Sequence, residues 1–102
     1  MAQGRPDLQE VLVAILGSAH VYFQPPPTVQ MEYPCIVYRR DSEHTKRADN
    51  ILYGRRKRYS VTVIDRNPDS QIPDKVGDLP LCRFDRHFTA NGLNHDVYQL
   101  FF

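Results

Sequence analysis

The stretch Leu81-Cys82-Arg83-Phe84-Asp85-Arg86-His87-Phe88-Thr89-Ala90-Asn91-Gly92-Leu93-Asn94-His95-Asp96-Val97-Tyr98-Gln99-Leu100-Phe101 decides the fold. Asn91-Gly92 lies between two alternating runs, and both residues tolerate the positive φ that a type I′ turn requires. An uninterrupted hairpin about that turn pairs residues whose numbers sum to 183. Cys82, Phe84, Arg86 and Phe88 then share a face with Phe101, Gln99, Val97 and His95. Arg83, Asp85, His87 and Thr89 share the other with Leu100, Tyr98, Asp96 and Asn94. The first face is the more apolar, so Cys82, Phe84, Phe88, Val97 and Phe101 are expected in the core of a sheet covered on one side by helices.

Working outward, residues 59–65 alternate Tyr59, Val61 and Val63 with Ser60, Thr62 and Ile64, the period of a strand. Residues 35–40 are β-branched and aromatic and follow Pro34, as a strand start does. Pro6 opens a helix whose apolar positions Leu8, Val11, Leu12, Ile15 and Leu16 form one stripe, and Gly17 stops it. Leu8, Val11, Leu12 and Ile15 complete the expected core. Val21 to Phe23 is a short extended segment that runs into Pro25-Pro26-Pro27, a stiff connector or sheet edge. Asn67-Pro68-Asp69-Ser70 is turn and cap chemistry, followed by a short helix over 71–79 with Ile72, Val76 and Leu79 on one side and Pro73 in its first turn. The expectation is one α+β domain over residues 1–102. It has a mainly antiparallel sheet, two helices on one face, a C-terminal hairpin and a long arm or hairpin extension at 41–57.

A chain of 102 residues has room for one core and no second domain. Its longest early apolar run, residues 11–16, is too short for a membrane span or an export signal. Cys35 and Cys82 sit among apolar neighbours without a second cluster, which is the pattern of buried thiols in a reducing cytosol. The charge is uneven. Residues 39–58 hold eight bases against three acids, a net +5, while the rest of the chain holds five bases against nine acids, a net −4. Such a segment suits an acidic neighbouring surface or phosphate, and a solvated loop is the plain alternative. Arg39, Arg40, Lys46, Arg47, Tyr53, Arg55, Arg56, Lys57 and Arg58 are the candidate interface residues.

Catalytic patterns are weak. His87 falls opposite Asp96 across the hairpin, but no GxSxG elbow accompanies the pair and Cys82 is expected on the opposite face. His95 and Asp96 are adjacent on a strand and point apart, and His20 and His44 lack a partner at ligand spacing. No HExxH, CxxC, EF-hand or glycine-rich phosphate loop occurs. Asp74-Lys75 are consecutive in the second helix, unlike the spaced carboxylates and lysine of a metal-dependent nuclease. A protein without enzymatic activity, cofactor or metal is expected. The run Arg55-Arg56-Lys57-Arg58-Tyr59 permits non-specific nucleic-acid contact without any recognition-helix or finger signature.

Four phrases resemble a known group: Glu32-Tyr33-Pro34-Cys35-Ile36-Val37-Tyr38, Ala48-Asp49-Asn50-Ile51-Leu52-Tyr53, Arg58-Tyr59-Ser60-Val61-Thr62-Val63-Ile64-Asp65 and Leu93-Asn94-His95-Asp96-Val97-Tyr98. They are similar to small structural proteins encoded among the tail and neck genes of long-tailed bacteriophages and prophages, and most of all to the tail terminator, or tail-completion, family. The resemblance covers roughly residues 8–100. It implies a virion protein, made in the host cytoplasm, that assembles as a hexameric ring, ends tail-tube polymerisation and presents a head-tail joining surface. Its implied partners are the major tail tube protein and the head-side connector proteins, with non-specific contact to packaged DNA and none to membrane. The basic segment before Tyr59 departs from the terminator pattern and suits a head-completion or stopper protein of the connector equally well. A nucleic-acid-binding accessory protein is the remaining alternative.

Overall fold

The computed structural model describes residues 5–48 and 51–102, with residues 41–48 and 51–56 described by their backbone alone. Its elements are α1 (Arg5–Leu16), β1 (Val21–Phe23), β2 (Cys35–Ala48), β3 (Ile51–Asp65), α2 (Ile72–Gly77), β4 (Cys82–Ala90) and β5 (Leu93–Phe101). The strands form one mixed sheet in the order β1-β2-β3-β5-β4. Every neighbouring pair is antiparallel except β1 with β2. The α+β class, the element order and the C-terminal hairpin agree with the sequence.

Local chemistry sets the ends of the elements. Gly17 takes φ 80° and donates its N–H to the Val13 carbonyl at 2.8 Å, closing α1 where a side-chain-bearing residue would be strained. Pro73 lies in the first turn of α2, and Ser70 Oγ accepts the Ile72 N–H at 3.3 Å. Asn91 and Gly92 take φ 54° and 75°, as the two-residue hairpin turn demands.

Register sorts the side chains into rows. Ile36 pairs with Val63, and Val63 with Asp96; Tyr38 pairs with Val61, and Val61 with Tyr98; Tyr59 pairs with Leu100. This face meets Leu8 and Leu12 of α1 and Val76 of α2 in one buried cluster. Val13, Ile15, Leu16, Ile72, Leu79 and Cys82 pack around its margin. Tyr38 sits at the centre and is fully buried. Its ring lies 4.9 Å from Phe23 and 6.1 Å from Tyr59, and its hydroxyl donates to Gln9 Oε1 and accepts from Arg5.

The core drawn from the hairpin needs correction. The 183 register holds from Ala90 to Arg86 and then slips, so that Phe84 pairs with Tyr98, Arg83 with Gln99 and Cys82 with Leu100. Asp85 is the extra residue of a bulge, and an extra residue sends the side chains beyond it to the opposite face. Phe84 therefore lies on the helix side, in an edge-on contact 5.5 Å from Tyr98, and is 53% exposed. Phe88 lies on the helix-free side, 41% exposed, and Phe101 is only half-buried. The residues that β5 sends into the core are Tyr98 and Leu100. Val97 is buried as expected, but beneath the opposite face. Leu8 and Leu12 are fully buried as expected, whereas Val11 and Ile15 are half-buried at the margin.

A parallel pair needs a crossover. Here the connection from β1 to β2 is the proline-rich segment 24–34, which runs over the helix-free face. Its Pro25, Pro26, Val29 and Met31 line the same trough as Val37, Thr62 and Val97. The Glu32 N–H reaches back to the Tyr22 hydroxyl at 3.4 Å. Val97, Ile64 and Cys35 are buried on this face although no helix packs on it.

Burial of Cys35 has a measurable consequence. Desolvation, reinforced by the negative charge of Asp65, pushes its thiol from the ordinary 9.0 to about 11. The folded state thus favours the protonated thiol, and this contribution to stability is complete below about pH 9 and lost as the pH rises through about 11. Thermal melts are expected to fall more steeply over that interval in the wild type than in Cys35→Ala. Equal slopes would show that Cys35 is not desolvated.

Candidate assembly interface

The basic segment is built on the distal half of the β2–β3 hairpin. Beyond the first register shift, between Arg40 and Ser42, Ser42 pairs with Arg58, Glu43 with Lys57, His44 with Arg56, Thr45 with Arg55 and Lys46 with Gly54. After a second shift, Arg47 pairs with Leu52 and Ala48 with Ile51, which leaves Tyr53 as the extra residue. β1 pairs only with residues 36–38 of β2, and β5 only with residues 58–65 of β3. Among the described residues, the ribbon beyond Arg58 therefore pairs with nothing except itself. Seven residues per strand give it a reach of roughly 23 Å. The molecule is elongated accordingly, 50 × 24 × 23 Å. The region expected as an arm or hairpin extension is thus a self-paired β-ribbon.

The candidate residues do not occupy one environment. Arg39 pairs with Ser60 and belongs to the helix-free face, while Arg40 pairs with Tyr59 on the helix side; both are exposed. Lys57 and Arg58 are half-buried at the base of the ribbon, where the Phe102 N–H donates to the Lys57 carbonyl at 3.0 Å. Lys46, Arg47, Tyr53, Arg55 and Arg56 stand within the ribbon, and their side chains lie outside the described residues. The body's acids Glu10, Asp69, Asp74 and Asp78 are exposed, so the acidic half of the charge asymmetry lies at the surface.

The histidines and cysteines occupy separate places. His87 Nδ1 lies 2.7 Å from Asp96 Oδ1, the cross-strand pairing expected from the turn. The bulge at Asp85 puts Cys82 on the same side of the sheet as His87, contrary to the expectation, but five positions away along β4. Burial also raises the Cys82 thiol pKa, which disfavours the thiolate a nucleophile needs. His20 has a partner that sequence spacing concealed, Glu32 at 3.1 Å across the crossover. His95 stacks on Phe88 with ring centroids 4.5 Å apart and planes at 11°. Among the described residues, no three of His, Cys, Asp and Glu converge as a metal site would require.

Sequence reasoning missed the surface around β4. Among the described residues the exposed large hydrophobics are Val29, Leu81, Phe84 and Phe88, and three of these lie on or beside that edge strand. The signal was present in the alternation of Phe84 and Phe88 with charges, but it was read as core. Tyr98, beneath Phe84, has its hydroxyl pushed up to about 12 by burial and by the nearby negative charges of Asp96 and Asp74. No protein-family model matches the chain, and neither the curated proteins nor the solved structures contain a significant match to it.

Proposed function

We propose that the protein is a structural subunit of a bacteriophage neck, acting as a ring-forming terminator of the tail tube that also offers a head-tail joining surface. The observation that carries the reading, beside the sequence resemblance, is the β-ribbon that, among the described residues, forms strand pairs only with itself. A two-stranded ribbon is marginally stable in water, and one rich in like charges repels itself as well. Such a ribbon is understandable in a subunit whose neighbour supplies both packing and counter-charge. A closed ring uses heterologous contacts, with two different and complementary flanks on each subunit, and a basic arm on an acidic body provides that asymmetry.

On this reading the chain is one of six copies, its work is done by surfaces, and no chemical step is assigned to it. The ring's neighbours are the tail tube protein on one side and connector proteins on the other. The basic ribbon also favours a second reading, a head-side stopper in the connector stack, because cations near the channel would attract packaged DNA without reading its sequence. Electron microscopy of particles assembled without this protein separates the two. Abnormally long tails are the result expected for a terminator. Finished tails beside full but leaking heads would transfer the assignment to the stopper, and normal virions would remove it from the neck altogether.

A further inference from the structure

The helix-free face of the sheet holds an open trough of about 900 Å³. Its floor is Val37, Thr62 and Val97, one row across β2, β3 and β5, where Val37 pairs with Thr62 and Thr62 with Val97. The proline segment forms one wall, and the stacked pair Phe88 and His95 forms the other. Apolar surface remains open to solvent along both walls, with Val29 36% and Phe88 41% exposed. From β2 to β4 is three strand spacings, roughly 14 Å, the length of about four extended residues.

The charge around this floor is predominantly positive. Arg39 and Arg86 line the trough from this face, against one acid, Asp85. That acid is already engaged by Arg86 at 3.3 Å. The arginines are exposed at the rim, where they can meet an anionic group without burial.

We propose that this trough docks an acidic, apolar peptide segment of a partner protein. Apolar side chains would cover Val37, Thr62 and Val97, while carboxylates met Arg39 and Arg86 in charge-assisted hydrogen bonds. The arm of a second copy is disfavoured here. Residues 41–57 hold five bases against three acids, so the arm brings positive charge to an arginine rim. A nucleic acid would satisfy the arginines but would bring no aliphatic side chains to cover Val29 and Val37, and the test below separates the two. The proposal concerns the opposite face from the helices and none of the ribbon residues; Arg39 alone is shared with the candidate assembly interface, so Arg86→Glu by itself separates the two.

The test is selection of the full chain against a library of random linear peptides, followed by binding of the enriched sequences as synthetic peptides. Enrichment of acidic, apolar sequences is expected. They should shift the amide resonances of Val37, Thr62 and Val97 and bind at least about tenfold more weakly to the double variant Arg39→Glu, Arg86→Glu, a loss of order two rim charges. Both substitutions are at exposed positions, and thermal melting checks that the variant is folded. Thr62→Trp, which fills the floor without altering charge, should abolish the same shifts. Enrichment of basic peptides, enrichment of none, or shifts confined to other surfaces would overturn the proposal. So would a single-stranded oligonucleotide that moves the same amides and displaces the peptide.

Discussion

Tyr38→Ala should destabilise the protein by about 3–5 kcal/mol, while Phe88→Ala should cost less than about 1 kcal/mol. Tyr38 is fully buried at the junction of α1, β1, β2 and β3, and truncation opens a ring-sized cavity. It also leaves Gln9 without the hydroxyl it accepts from. A loss of that size is a third or more of the stability of a typical small domain, so the variant will be largely unfolded under mild denaturant. Phe88 has 41% of its surface in solvent and rests on His95 rather than in the core. A core on the face of Phe88, His95 and Val97 would bury Phe88 and make it the costlier loss. Urea unfolding of the two variants therefore decides which face of the hairpin carries the core, provided the m-values agree with the wild type. A Phe88→Ala loss as large as that of Tyr38→Ala would mean that the helices cover the face that carries Phe88, His95 and Val97.

The same contrast marks how far the fold is legible in the sequence. Asn91-Gly92 identifies its turn because few residues adopt two successive positive φ values, and the alternation of Tyr59, Val61 and Val63 identifies a half-buried strand because the period leaves no other reading. Both come from local backbone chemistry. The bulge does not. Phe84-Asp85-Arg86 is compatible with either face, and what selects one is the pairing of β5 with β3, which places Tyr98 and Leu100 beside Val61 and Tyr59 over the helices. That is a tertiary constraint, and it also decides that Val97 is buried from the other side. The crossover over the helix-free face was concealed for a similar reason. Pro25-Pro26-Pro27 announces a stiff connector but not the surface on which it lies. For the candidate interface, the run of bases was visible in the sequence as charge, whereas the absence of a further strand beside the ribbon among the described residues is a property of the sheet's topology.

Replacing Arg55, Arg56 and Lys57 together with Ser should leave the subunit folded and weaken ring formation by roughly tenfold or more per interface, the sum of a few exposed charge pairs. The part of β3 in the core cluster begins at Tyr59, beyond the substituted positions, and the bond from Phe102 to Lys57 uses the main-chain carbonyl that Ser retains. What changes is the complementarity between the ribbon and an acidic neighbour. Because exposed pairs are screened within a Debye length, about 10 Å at 0.1 M salt and about 3 Å at 1 M, wild-type rings should dissociate toward subunits as salt rises. The triple variant should already be dissociated at the lower salt and respond little to the higher. Native mass spectrometry or sedimentation over that range reads both. Rings that form normally in the variant, in particles that then lose their DNA, would place the ribbon against the channel rather than a neighbour. Normal assembly with normal DNA retention would leave the ribbon a solvated extension, and the assembly role assigned to it would have to be abandoned.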